Sequence, residues 1–191
     1  VEDVTRLFET LLDENIPNSP DALRAWILKW SELVSVWAEV SRRRYVAMTV
    51  NTQDEAAAKA YEDFVGNIDP VMSEFDDKLN KKLMAHPAKD QLKDEFGVWF
   101  KSVQVSLDLF SPANIPLETE ETMAVQAYQK ITGGMSVEFD GGIKTMQQLG
   151  AYLEKTDRDL RERAFRTMWD RRLKDKDALD ASFDKLFQIR N

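Results

Sequence analysis

Apolar residues recur at every third or fourth position along most of this 191-residue chain. This spacing places them on one side of an α-helix, whereas a half-buried strand requires strict alternation. Only seven glycines and six prolines break the pattern, so long uninterrupted helices are expected. The sequence therefore predicts a mainly α fold, a bundle of long amphipathic helices. The clearest stripe contains Leu23, Trp26, Ile27, Trp30, Leu33, Val34, Trp37 and Val40.

The stripes, and the residues that break them, predict where the first helices begin and end. Pro70 lies inside the third helix, where it removes one backbone donor and crowds the carbonyl of Gly66, so we expect a kink there. The predicted helices cover residues 2–13, from Pro20 to about Val50, from about Thr52 to Leu83, from Leu92 to Phe110, and from Thr119 to about Ile131.

One segment changes its period and predicts β-structure. Apolar residues alternate over 135–139, Asp140-Gly141-Gly142 supplies a turn, and residues 143–145 return as a second strand. We therefore predict one β-hairpin at about 134–145, followed by further helices. The alternation gives the hairpin two faces, with Met135, Val137 and Phe139 toward helices and Ser136 and Glu138 toward solvent.

Helix signals resume after the hairpin. Thr145 and Gln148 fit a capping box for a short helix, and Thr156-Asp157 starts a longer one. The buried side of the longer helix is predicted to contain Leu160, Ala164, Phe165, Met168, Trp169 and Leu173, and a last helical stripe contains Leu179, Phe183, Leu186 and Phe187.

The last stripe also bears on domain organisation. It stays periodic up to Asn191 without a glycine or proline to stop it, so we interpret the C-terminus as lying within a helix. We predict a division near Pro112 to Leu117, with an N-terminal helical bundle over residues 1–114 and a helix-hairpin-helix part over 115–191 that is truncated mid-helix. The free end of this last helix is expected to fray or to self-associate with a second copy of the chain.

Charge and rare side chains exclude several classes of site. Asp and Glu outnumber Lys and Arg by 34 to 26, giving a net charge of −8, so no nucleic acid partner is expected. No stretch reaches the ~18 apolar residues of a spanning helix, so we expect no membrane partner and a cytoplasmic location. Because the chain has no cysteine and one histidine, we expect no metal site and no cofactor in it.

Three features admit both a functional and a structural interpretation. His86, before Pro87, suits a lone general base or ligand, but an exposed loop histidine is favoured. The arginines at 42–44 and 158–172 suit a phosphate, a carboxylate or a peptide C-terminus, but pairs with acids on helix surfaces are favoured. The tryptophan stripe suits a ligand-stacking wall, but a core position is favoured. No catalytic constellation emerges from these residues.

Two stretches resemble a known family as wholes. The sequence from Arg44 to Asp54 resembles the N-terminal helical region of bacterial oligoendopeptidase F, of the M3 zinc metallopeptidases. A stronger match is C-terminal, where Gly133–Gly141, Thr145–Leu149 and Asp157–Phe165 follow in an order similar to that family's hairpin and helix pair. The resemblance spans most of residues 20–191.

The resemblance implies a mostly helical enzyme whose zinc is held by an H-E-x-x-H helix and a later Glu, in a channel that admits only short peptides. This chain has no such helix, so no catalytic residue is carried over and the chain alone is expected to be inactive. The implied role is a non-catalytic N-terminal portion that forms a wall of the channel, with zinc only in the complete enzyme. Its implied partners are the C-terminal catalytic part of the same protein and short peptides as substrates. The candidates to line the channel are Glu138, Phe139 and Asp140.

Two other interpretations stay open at this point. One is a non-enzymatic helical interaction module that binds a partner through the tryptophan stripe or an arginine patch. The other is a helical metalloprotein, in which the acids at 76–77, at 118–121, or at Asp175 and Asp177 would have to converge on one cation. A gene that continues beyond Asn191 into an H-E-x-x-H helix would decide for the peptidase.

Overall fold

A computed structural model describes residues 2–191, and this part of the chain has the predicted mainly α fold with one two-stranded antiparallel hairpin. The helices are α1 (Glu2–Asp13), α2 (Pro20–Val50), α3 (Glu55–Asn67), α4 (Asp69–Ala85), α5 (Lys93–Leu109), α6 (Asn114–Gly133), α7 (Met146–Gly150), α8 (Arg158–Lys174) and α9 (Lys176–Arg190). The hairpin consists of β1 (Ser136–Phe139) and β2 (Gly142–Thr145), and 3₁₀ segments cover Pro87–Leu92 and Ala151–Glu154.

The third predicted helix is divided in two rather than kinked. Helix α3 ends at Asn67, α4 begins at Asp69, and Ile68 joins them. The Ile68 N–H still donates to the carbonyl of Phe64 at 2.8 Å. Pro70 lies in the first turn of α4, where its missing N–H costs nothing because first-turn donors have no acceptor within the helix. The single helix predicted from about Thr52 to Leu83 is therefore interrupted at Ile68, and the proline lies in the first turn of the second helix.

The chain divides into two compact units. The first contains the chain up to Met48 together with Ala56–Thr119, and the second contains Thr49–Glu55 together with Glu120–Asn191. Their boundaries fall inside α2, at the start of α3 and inside α6. The predicted division near Pro112 to Leu117, between residues 1–114 and 115–191, stays a prediction.

The tryptophan stripe forms the core of the first unit. Trp26 is 1% exposed, and its indole Nε1–H donates to the carbonyl of Leu11 at 3.0 Å. Trp30 is also buried, and its ring centroid lies 5.6 Å from that of Trp99. The favoured core interpretation of the stripe is confirmed. Other fully buried side chains of this core are Leu23, Leu79, Leu83 and Leu92.

A half-buried lysine caps the C-terminal end of α1. The Lys82 ammonium on α4 donates to the carbonyls of Leu12 and Glu14, and it lies 5.6 Å from the ring centroid of Trp26. Carbonyls at the end of a helix lack partners within the helix and carry its negative dipole end, so a cation stabilises them. Burial lowers the pKa of Lys82, while the carboxylates of Glu14 and Asp13 oppose that shift. Lys82 therefore joins α1 to α4 through charge rather than through apolar packing.

A smaller core lies beneath the hairpin in the second unit. Phe139, Leu149 and Ala164 are buried together there. The predicted capping box is confirmed, because the Thr145 hydroxyl accepts from the Gln148 N–H at 3.3 Å and the Gln148 side chain accepts from the Thr145 N–H at 2.9 Å. These local bonds fix the direction in which the chain leaves the hairpin.

The structure corrects the predicted buried sides of α8 and α9. On α8, Ala164 is buried, and Leu160 and Met168 are partly buried against the hairpin core. The other large apolar side chains of α8 are exposed, and α9 has no fully buried side chain at all. Helix α8 is apolar on two sides, and the small core covers only one of them. We call the uncovered set the α8–α9 apolar face, which consists of Phe165, Trp169, Leu173, Phe183 and Phe187.

Candidate functional site

The hairpin turn is built by two residues with positive φ. Asp140 has φ 51° and Gly141 has φ 75°. Positive φ at both central positions defines the tight turn whose twist matches paired strands, and Asp and Gly adopt it most easily. The turn sets the register, which pairs Glu138 with Ile143 and Phe139 with Gly142. The sequence predicted this hairpin correctly.

Phe139 faces inward and belongs to the core. Its side chain is 8% exposed, and its ring meets that of Tyr152 edge-on with centroids 5.0 Å apart. The guanidinium of Arg163 lies 5.9 Å from the same ring. Phe139 therefore holds the hairpin onto the helices of the second unit, and its contribution to any site is to position the neighbouring residues.

Asp140 ties the turn to the segment after α7. The Tyr152 hydroxyl donates to the Asp140 carboxylate at 3.1 Å. Partial burial raises the pKa of Tyr152, and the hydrogen bond to Asp140 raises it further, so the phenol stays protonated as the donor. This bond restrains the hairpin tip against the Ala151–Glu154 segment.

Glu138 lies on the opposite, outward face of the hairpin. Its side chain is exposed and makes no ion pair with another residue of the described 2–191 range. Ile143, directly across the ladder, is 71% exposed and shares that face. Of the three channel candidates, Glu138 is thus the one whose charge is free to meet a ligand. Their role in a channel stays a prediction.

His86 is a helix cap rather than an exposed loop residue, which corrects the expectation. Its Nδ1 accepts from the Ala88 N–H at 3.2 Å, and its Nε2 lies 3.4 Å from the carbonyl of Ile16. The side chain is half-buried between these partners. Both ring nitrogens have backbone partners, so His86 is not placed to act as a base or a ligand.

Three members of the arginine clusters form ion pairs on helix surfaces, as favoured. Most of these pairs are exposed and four residues apart, a spacing at which opposite charges stabilise a helix only weakly. The pairs include Arg43 with Glu39, Arg166 with Glu162 and Arg171 with Asp175, while Arg161 donates to the carbonyls of Lys155 and Thr156.

Residues 2–191 contain neither a metal-binding cluster nor a membrane-spanning helix. No three or more His, Asp or Glu side chains in that range come together in a group that would hold a metal ion. None of the helices described there combines the length and the apolar composition needed to cross a membrane.

A polar pair inside the first unit was missed by sequence reasoning. Oδ1 of Asp69 and Nε1 of Trp37 are both buried, and neither makes a hydrogen bond within normal limits. Burial raises the pKa of Asp69 to about 6, and the nearby Trp37 indole opposes the shift only partly. Burial likewise raises the pKa of Tyr61, and the Asp69 charge adds to that effect. These partners come from three helices, so no local signal could have found them.

We expect Asp69→Asn to stabilise the protein at pH 7.5 by roughly 1–2 kcal/mol, allowing for solvent screening, and to bring no gain at pH 4. The folded state holds the proton up to about pH 6, against 3.8 for an ordinary aspartate. The native protein therefore loses stability as the pH rises from about 4 through about 6, and the neutral amide removes that loss. Urea unfolding at both pH values measures it.

The matched control is Asp94→Asn, which changes an exposed aspartate on α5. It should shift stability by at most a few tenths of a kcal/mol at either pH. An equal gain for Asp69→Asn at pH 4 and pH 7.5 would contradict the titration and indicate a simple packing effect.

Comparison with known proteins gives a family and a fold. Residues 1–110 match the family model of the peptidase M3 N-terminal domain. No curated protein matches the chain. Among solved structures, one assigned to oligoendopeptidase F covers all of this chain at 21% identity with a TM-score of 0.90. PZ peptidase A with an inhibitor covers 99% of this chain at 21% identity with a TM-score of 0.88. A structure assigned to oligoendopeptidase F from Bacillus anthracis covers 99% of this chain at 19% identity with a TM-score of 0.89.

The similarity covers only part of each larger structure. This chain spans 34%, 34% and 35% of the three solved chains, about a third of their length. At such identities the likeness establishes the fold alone.

Proposed function

The chain belongs to the peptidase M3 N-terminal domain family, and we propose that it is the non-catalytic N-terminal portion of a longer zinc-dependent oligoendopeptidase. The observation that carries the proposal is the family match, together with a fold that recurs as one third of larger peptidase chains. The partner would be the C-terminal catalytic part of the same protein, and the substrates short peptides. The absence of cysteine suits a reducing compartment and supports the cytoplasm as the location.

The residues of this chain do not fit a zinc site. A tight site needs three or four converging ligands, and the one histidine is occupied by Ala88 and Ile16. The zinc and the residues that act on the scissile bond would therefore lie in the remainder of the enzyme. This portion would contribute shape, by limiting which substrates enter, and position, by holding them against the catalytic part.

The outward face of the hairpin is the part best suited to meet a peptide. The core fixes it from behind through Phe139, and the Tyr152 bond restrains its tip at Asp140. A ribbon edge can hydrogen-bond an extended backbone whatever its sequence, and an exposed carboxylate can attract a peptide's amino terminus or a basic side chain. Glu138 would supply that carboxylate.

We expect Glu138→Ala in the complete enzyme to raise KM for a short basic peptide about tenfold with kcat unchanged, which is roughly 1.4 kcal/mol of binding. Glu138 is exposed, so thermal stability should not change. Steady-state kinetics with one basic and one neutral peptide measure the effect.

The control is Glu154→Ala, an exposed glutamate of the same unit that lies outside the hairpin. It should leave both kinetic constants unchanged. If Glu138→Ala and Glu138→Lys both behave like this control, the hairpin has no role in the channel and is purely structural.

The interaction module, the alternative interpretation, loses one of the two surfaces proposed for it. Trp26 and Trp30 are buried, so the tryptophan stripe presents no wall to a partner. Among the arginines, Arg166 and Arg171 pair with neighbouring acids, and Arg161 donates to backbone carbonyls. The tryptophan stripe therefore does not favour this alternative over the peptidase portion.

A further inference from the structure

The α8–α9 apolar face is a large apolar surface with no cover in the second unit. Its five side chains are about half exposed or more, from 48% for Trp169 to 68% for Phe183. Scattered apolar side chains are ordinary on protein surfaces, whereas a contiguous aromatic cluster marks an interaction site.

The five residues form one apolar stripe on each of two successive helices. Only Asp175 separates α8 from α9, and the Leu179 N–H still donates to its carbonyl at 3.0 Å. Steps of four residues place Phe165, Trp169 and Leu173 on one side of α8, and Phe183 and Phe187 on one side of α9. Neighbouring rings already pair, with centroids 6.0 Å apart for Phe165 and Trp169 and 6.5 Å apart for Phe183 and Phe187.

Helix α9 is held by a half-buried stripe that contains Leu179, Leu186 and Ile189, and by ion pairs. It buries no side chain fully, and ion pairs link it to α6, where Arg190 donates to Glu121 at 2.7 Å and Lys185 lies 3.4 Å from Glu120. These side chains are largely exposed, and exposed ion pairs contribute about 0–1 kcal/mol each. A 15-residue helix is marginal on its own. A surface that covers its exposed aromatic side chains would stabilise α9 further.

We propose that the α8–α9 apolar face is the docking surface for the part of the same polypeptide that lies outside these 191 residues. This rests on the proposed function. The same fold occurs within chains about three times as long, so about two thirds of such a polypeptide is available to cover the face. The composition of the face also fits an interface. Arg172 lies 5.5 Å from the centroid of the Trp169 ring, and aromatic residues beside an arginine are typical of interface centres.

Hydroxyl-radical footprinting of the complete polypeptide and of the 191-residue chain tests the proposal. Oxidation of Trp169, Phe183 and Phe187 should fall about fivefold or more in the complete polypeptide, because a docked face excludes solvent. Val98 and Leu109, exposed side chains of the first unit, serve as controls and should react equally in both. Equal oxidation of the face in both samples would overturn the proposal.

A variant gives a second readout. Phe183→Ser with Phe187→Ser should lower the thermal midpoint of the complete polypeptide and leave that of the 191-residue chain unchanged, while Val98→Ser changes neither.

Protection of the face in the 191-residue chain that grows with its concentration would assign the face to a second copy and overturn the proposal. If the complete polypeptide cleaves peptides but its α8–α9 apolar face stays unprotected, the docking proposal alone is refuted. If the complete polypeptide neither binds zinc nor cleaves peptides, the proposed function is refuted.

Discussion

Replacing Trp26 by alanine should lower the free energy of unfolding by about 3–5 kcal/mol, the usual loss for a large aromatic in a closed core. Trp26 is 1% exposed, packs against Trp30 with ring centroids 5.5 Å apart, and supports the Lys82 ammonium at 5.6 Å. Truncation would leave a cavity among these groups and remove the donor to the Leu11 carbonyl. Such a loss is a large part of the stability of a domain this size. Urea unfolding followed by circular dichroism measures it.

The chain offers a control of the same residue type. Trp169 on the α8–α9 apolar face is 48% exposed, so Trp169→Ala in the 191-residue chain should cost less than about 1 kcal/mol. Trp26→Phe keeps most of the buried apolar area and should fall between the two. Equal losses for Trp26→Ala and Trp169→Ala would show that burial, as described, does not determine stability here.

Phe139→Ala should cost about 3 kcal/mol, concentrated in the hairpin and its supporting helices. The small core beneath the hairpin has few large members, and the Phe139 ring contacts both Tyr152 and Arg163. An isolated two-stranded ribbon is marginal in water, so loss of this anchor should release both strands. Amide hydrogen exchange at Val137 and Lys144, which pair across the ladder, should become markedly faster.

Ile143→Ala is the matched change on the outer face of the same hairpin. Its side chain is exposed, so exchange across the ladder should rise only slightly. If the Phe139 and Ile143 variants open the hairpin equally, strand pairing rather than core packing holds the ribbon in place. Since Glu138 adjoins Phe139, the same experiment shows how firmly the proposed peptide-facing carboxylate is positioned.

The features that the sequence predicted correctly have local causes. Asp140 and Gly141 adopt positive φ through their own chemistry, and the Thr145 and Gln148 side chains close a capping box within four residues. The periodic stripe of α2 likewise specifies a helix without reference to the rest of the chain. Each of these signals is complete within a short segment, so no tertiary information was needed.

The errors arise where a second element decides the outcome. Periodicity shows that Phe165 and Trp169 share a side of α8, but only the packing of the hairpin on Ala164 reveals that this side lacks cover. Helix α6 begins at Asn114 rather than at the predicted Thr119, because Pro116 is tolerated in a first turn. Asp69 shows no sign in the sequence of the burial that raises its pKa.

The candidate site was predictable in part. Alternation along β1 correctly placed Phe139 inside and Glu138 outside. It did not reveal the hydrogen bond from Tyr152 to Asp140, which depends on where the chain returns after α7. The peptidase interpretation came from the resemblance and not from any residue that could perform catalysis.

The rate at which Lys82 is acylated can report how often α1 separates from α4. Amine-specific reagents attack the free, uncharged amine, and Lys82 is held against two carbonyls and the Trp26 ring. Its acylation must therefore wait until α1 separates from α4, whereas exposed Lys59 or Lys176 reacts without any such opening. Once acylated, Lys82 has lost its charge and keeps one N–H donor, so each labelling event weakens the contact between α1 and α4.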